Sequence, residues 1–128
     1  MMKTILLVED NTALGLAFQD TLKSANFQVI MASNGREALD LCQNNPVHID
    51  LLLTDLIMPE MGGEELAAAI LQIYPTLKIV IMSGYPDTDI RATSLKIQVH
   101  GWLKKPIALQ NLLNTINSLI HDQGTAHQ

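Results

Sequence analysis

A chain of 128 residues can bury one hydrophobic core and is short for two. Its 48% hydrophobic and 16% charged residues exclude a disordered polymer, and its apolar runs are far too short to span a membrane. A net charge of −5, the lack of any Lys/Arg run and 4% aromatics argue against nucleic-acid binding as the main task.

Met1 to Thr4 runs directly into the apolar Ile5-Leu6-Leu7-Val8, which reads as a buried strand with no signal peptide before it, so a cytoplasmic protein is expected. That strand ends at Glu9-Asp10. Asn11 or Thr12 can cap the next helix, in which Leu14, Ala17, Phe18, Thr21, Leu22 and Ala25 share one face, and Asn26 is a plausible stop. Phe27 to Met31 is a second strand. Asn34 and Glu37 have the spacing of a capping box for a helix carrying Ala38, Leu39 and Cys42 inward and ending near Asn44-Asn45-Pro46. Cys42, the single cysteine, has no disulfide partner and no metal-ligand spacing, and reads as core.

The third strand is Leu51-Leu52-Leu53, leading through Thr54 into Asp55, then Met58-Pro59 and Gly62-Gly63. Leu66, Ala69, Ile70 and Ile73 mark a helix that Pro75 stops. Lys78 to Met82 is the fourth strand, ending at Ser83-Gly84. Asp87 to Lys96 carries the weakest helical pattern. Val99 to Lys104 is a fifth strand, interrupted by His100 and Gly101 and ending at Lys105-Pro106. Leu109, Leu112, Leu113, Ile116, Leu119 and Ile120 line one face of a last helix, and the tail after His121 reads as frayed.

This alternation predicts an α/β fold of five parallel strands with helices on both faces. The continuous apolar runs of strands one, three and four place them centrally. Gln28, Gln98 and His100 place strands two and five at the edges, which matches the flavodoxin-like order 2-1-3-4-5. In a parallel sheet Glu9, Asp10, Asp55, Ser83 and Lys105 then open on one edge. Crowded carboxylates raise one another's pKa, a conflict that a hard cation such as Mg²⁺ resolves. A lysine and a hydroxyl beside them suit an anion, and a carboxylate nucleophile can form an aspartyl-phosphate.

Glu9-Asp10, the run from Asp55 to Gly63, Ser83-Gly84 and Lys105-Pro106, in this order, make the chain resemble a receiver domain of a two-component response regulator from about Thr4 to His121. The resemblance implies a receiver over residues 1–121 and a flexible tail over 122–128. It implies that Asp55 takes phosphate from a histidine kinase or phosphotransfer protein. Asp10 would ligate Mg²⁺ directly, Glu9 through water, Asp55 itself and the Ile57 carbonyl completing the protein ligands. Ser83 and Lys105 would hold phosphoryl oxygens, and the Lys105-Pro106 bond is expected to be cis. Where the family carries a mobile switch Tyr or Phe this chain has the bulkier Trp102, which also reads as a surface anchor on an edge strand. Phosphorylation would repack Tyr85 to Trp102 and change a protein-binding surface, read by another protein or by a fused domain outside this chain. Met-Ser-Gly-Tyr after the fourth strand resembles receivers of hybrid sensor kinases, so a hybrid-kinase receiver and a single-domain regulator both stand. The domain is expected to be a phosphoacceptor with at most self-directed chemistry, not an enzyme acting on other substrates. A docking scaffold with vestigial phosphorylation is the alternative. An aspartate-nucleophile phosphatase of the haloacid dehalogenase type needs an acid two residues after its nucleophile, where Ile57 and Thr12 stand here.

Overall fold

Five parallel strands form one sheet in the order β2-β1-β3-β4-β5: β1 Thr4–Val8, β2 Gln28–Ala32, β3 Leu51–Asp55, β4 Lys78–Ser83 and β5 Gly101–Lys104. The helices α1 Thr12–Ser24, α2 Gly35–Asn44, α3 Gly63–Leu71 and α4 Leu109–Ile120 complete the described elements. The structure is a computed structural model and describes residues 2–44, 47–84 and 97–120. The strand order is the flavodoxin-like one read from the sequence. The helix expected over Asp87 to Lys96, Tyr85, the end of α2 at Asn45-Pro46 and the tail lie outside the described residues.

Alternation along the central strands divides the core in two. Ile5 and Leu7, Leu51 and Leu53, and Val80 and Met82 face Phe18 and Leu22 of α1 and Leu112, Ile116 and Ile120 of α4. Leu6 and Val8, Leu52, and Ile79 and Ile81 face Ala38, Leu39 and Cys42 of α2 and Leu66, Ala67 and Ile70 of α3. A strand covered on both faces has no polar side, which is why these three read as unbroken apolar runs. Each fully buried Leu or Ile contributes about 1.5–3 kcal/mol relative to exposure.

Local signals behave largely as read. Asn11 Oδ1 accepts from Leu14 N–H at 3.0 Å and caps α1, and Asn26 ends the turn after it at φ 71°. Asn34 Oδ1 accepts from Glu37 N–H at 2.8 Å, while Glu37 reaches back to Ser33 N–H at 2.6 Å. Three inward assignments are corrected. Ala17 is exposed, because α1 turns Gly15, Phe18 and Leu22 to the sheet. Ile73 lies beyond the end of α3 and is exposed, as is Leu109 in the first turn of α4. β5 starts at Gly101 rather than Val99, for a reason that lies in the side chain of His100.

Candidate functional site

The C-terminal ends of β1, β3, β4 and β5 converge on one sheet edge. Asp55 is the last residue of β3 and only 3% exposed; Glu9, just after β1, is 2% exposed, and Asp10 next to it faces solvent. One carboxylate oxygen from each of these three lies within 4.8 Å of the others. Lys105, just past β5, brings its Nζ to 2.6 Å from Asp55 Oδ1 and donates to Glu9 Oε1 at 3.1 Å. The second Glu9 oxygen accepts from Asn11 N–H at 3.1 Å. Ser83 ends β4 and is buried, and its carbonyl accepts from Lys105 N–H at 2.7 Å.

Asp55 is the strained member electrostatically. Its Oδ1 is ion-paired with the Lys105 ammonium, and its Oδ2 has no hydrogen-bond partner among the described residues. Burial, and then the Glu9 carboxylate, push its pKa from 3.8 up to about 7, with Lys105 opposing. Burial works against the Lys105 ammonium, but Asp55 and Glu9 outweigh it and hold that pKa above 10.5.

The backbone under Asp55 is closely supported. Leu56 N–H donates to Met82 O, and Gly63 N–H donates back to Leu56 O, each at 2.8 Å. Thr54, fully buried, donates its hydroxyl to the Asp55 carbonyl at 3.0 Å. The first residue of α3 has to be glycine here. A Cβ on Gly63 would stand 2.1 Å from Asp55 O and 3.0 Å from Asp55 C. Glu60, in the connecting turn, has φ 69°, a left-handed conformation uncommon for a glutamate.

The description of a response regulator receiver domain matches this chain over residues 5–117. The chain belongs to the response regulator receiver family. Among relatives of this receiver, the response regulator receiver protein CpdR of Brucella abortus is 35% identical over 119 residues, 93% of this chain and 98% of that protein. Sensor kinase CckA of the same organism is 32% identical over 121 residues, covering 94% of this chain; the receiver spans only 13% of that kinase. A CheY-like receiver domain protein from Methanospirillum hungatei superposes with a TM-score of 0.86 at 26% identity, over 98% of this chain and 99% of that one.

In this receiver the acidic trio fits a small divalent cation. The donors are all hard oxygens, one acid is exposed and two are buried, and Asp55 Oδ2 is a buried oxygen without a described partner. Glu9, Asp10, Asp55 and Lys105 are thus brought together as expected, with Ser83 at the neighbouring strand end. The Ile57 side chain is 62% exposed, two residues beyond Asp55. Trp102 is half-buried, paired in register with Ile81 and packed on the α2–α3 side of the core. Reasoning from sequence alone missed the Lys105–Glu9 contact, the closeness of Gly63 to Asp55 and the Asn11 amide on Glu9. The glycine pair after Met61 was the available signal for the second of these. No helix among the described residues is long and apolar enough to cross a membrane. The Lys105-Pro106 peptide is cis, as the resemblance implied.

Proposed function

We propose that this receiver accepts a phosphoryl group on Asp55 from the phosphohistidine of a histidine kinase or phosphotransfer protein and that the modification changes a protein-binding surface. The observation that carries the reading is the Asp55 carboxylate, buried with one oxygen on the Lys105 ammonium and the other without a described partner, beside two further acids. Such a group is costly as a structural element and useful as a nucleophile.

An Asp55 oxygen attacks phosphorus, the phosphorus–nitrogen bond of the donor breaks, and the histidine nitrogen leaves with the bonding electron pair. Glu9, Asp10, Asp55 and the Ile57 carbonyl would hold Mg²⁺. Bound there, the cation would neutralise phosphoryl charge and keep Asp55 ionised. Lys105 is released from its bridge between Glu9 and Asp55 to pair with a phosphoryl oxygen, and the Ser83 hydroxyl donates to another. The site then carries a dianionic group where it held one carboxylate, and the strain falls on β4, β5 and the chain between them, with Trp102 as the switch aromatic.

Residues 1–121 form the receiver and 122–128 a tail, in a cytoplasmic protein that is a phosphoacceptor rather than an enzyme with external substrates. Its output partner is a protein, either separate or fused. A receiver of a hybrid kinase, the class of protein in which CckA's matching segment lies, and a single-domain regulator both remain compatible with these likenesses. The test is phosphotransfer: label from a phosphorylated histidine kinase should move to wild-type chain and not to Asp55→Asn. Equal labelling of the variant would place the acceptor elsewhere.

A further inference from the structure

β5 is four residues long and lies at a sheet edge, so few bonds hold its register on β4. At its end the link is main chain, from Lys105 N–H to Ser83 O at 2.7 Å. At its start the link is partly a side chain. His100 N–H donates to Ile79 O at 2.8 Å, and the Ile79 N–H donates to His100 Nδ1 at 3.0 Å. The imidazole stands where a strand carbonyl would otherwise be, which is why regular pairing begins only at Gly101. Ile79 is fully buried, so its amide has little access to water as an alternative.

An accepting Nδ1 puts the single ring proton of neutral imidazole on Nε2. A protonated ring would oppose N–H to N–H, and the bond would be lost. We propose that His100 is a positioning residue whose neutral Nδ1 fixes the register of β5 on β4 and thereby holds the Lys105 ammonium at Asp55, so that acid loosens the site from outside its own carboxylates. The proposal rests on the reading of Lys105 and Asp55 given above for its functional half only.

The leverage follows from geometry. A slip of one residue moves a strand by about 3.3 Å and turns its side chains to the opposite face, which would take Lys105 off Asp55 and Trp102 off its core contacts. Gly101 resists such a slip, since a Cβ there would meet Thr115 Cγ2 at 3.0 Å and Val80 Cγ2 at 3.4 Å. Among the described residues, Lys78 of β4 is the charged group that bears on the ring. Burial first, and Lys78 second, hold the His100 pKa below its ordinary 6.5. A histidine with a lowered folded pKa contributes stability that is present above the unfolded value and lost as pH falls below it. The clamp is therefore closed at neutral pH.

Asp55 titrates in the same region, so a pH profile of the wild type alone would not separate the two. His100→Asn keeps an acceptor near the Nδ1 position and cannot take up a proton. His100→Leu fills space without an acceptor. The readouts are hydrogen exchange of the Ile79 and Leu103 amides and Mg²⁺-dependent modification by a small phosphodonor, at about pH 7.5 and about pH 5.5, on either side of the imidazole range. At the higher pH, wild type and His100→Asn should match, with His100→Leu about tenfold faster in exchange, the worth of one hydrogen bond, and slower in modification. At the lower pH, wild type should move towards His100→Leu in exchange while His100→Asn does not.

Matching exchange in wild type and His100→Leu at both pH values would overturn the proposal, as would equal impairment of His100→Asn and His100→Leu. Should His100→Leu fail to fold, the pH comparison of wild type with His100→Asn decides alone. The expected amide pattern with no modification of any protein would overturn the reading of Asp55 and leave the β5 clamp standing.

Discussion

Lys105 places its ammonium 2.6 Å from Asp55 Oδ1, reaching from the end of β5 to the end of β3 across the intervening β4. The same nitrogen donates to Glu9 Oε1 at 3.1 Å, so one cation serves two buried carboxylates. Its removal leaves both acids without that charge. Breaking a fully buried pair costs roughly 3–5 kcal/mol, and with Lys105 itself 28% exposed the metal-free penalty of Lys105→Ala is set lower, at about 1–3 kcal/mol. Mg²⁺ should restore most of it by taking over the same carboxylates. Urea unfolding with chelator and with Mg²⁺ checks this. The variant should still accept phosphoryl groups, more slowly, without the Trp102 fluorescence change of the wild type.

Replacing Asp55 should stabilise the metal-free protein. The folded state keeps the Asp55 proton up to about pH 7, whereas the unfolded chain releases it near 3.8. Between these values the folded state holds more protons, so stability falls as pH rises across that window. Asp55→Asn removes the slope, and at about pH 8 its midpoint of thermal unfolding in chelator should exceed that of the wild type. Equal midpoints from acid to mild alkali would mean that burial does not penalise this carboxylate.

Gly63 is where α3 meets the phosphoacceptor's own peptide. A Cβ there would lie 2.1 Å from the Asp55 carbonyl oxygen, backbone that cannot swing aside. Gly63→Ala should therefore cost about 1–3 kcal/mol as an overpacking change and slow modification of Asp55, because relief requires moving Asp55 itself. Gly84→Ala, with nothing within 4 Å of its Cβ among the described residues, is the control that should leave stability nearly unchanged.

Sheet order and both layers of the core were legible because they depend on period-two and helical patterns that burial enforces. The acidic trio was legible because a parallel sheet brings strand ends together whatever the loops do. What could not be read depends on where atoms meet in space. The stripe of α1 was misplaced at Ala17, since Gly15 carries no hydrophobic signal yet packs against Met31 and Glu9. The start of β5 was misplaced because an imidazole replaces a ladder carbonyl at His100, and no periodicity encodes that. Lys105 was expected near Asp55; its second contact, with Glu9, follows from side-chain reach.

Loss of the phosphoryl group needs a water in line with the Asp55 oxygen. Two residues beyond Asp55 stands Ile57, 62% exposed and unable to orient a water; Tyr85, the other flanking position expected from the sequence, lies outside the described residues. Slow autodephosphorylation is therefore expected. Ile57→Asn should hasten it about tenfold, equivalent to roughly 1.4 kcal/mol of barrier. Decay of labelled protein measures this, and a wild-type lifetime of seconds would contradict it.

The central claim is that Asp55 is a metal-dependent phosphoacceptor, and intact-mass spectrometry after incubation with a small phosphodonor tests it most directly. Wild type with Mg²⁺ should gain the mass of one phosphoryl group. Wild type in chelator, Asp55→Asn, and Asp10→Asn, which lacks the exposed acid of the trio, should gain none. A phosphoryl group on Asp55→Asn, or full modification in chelator, would contradict the account.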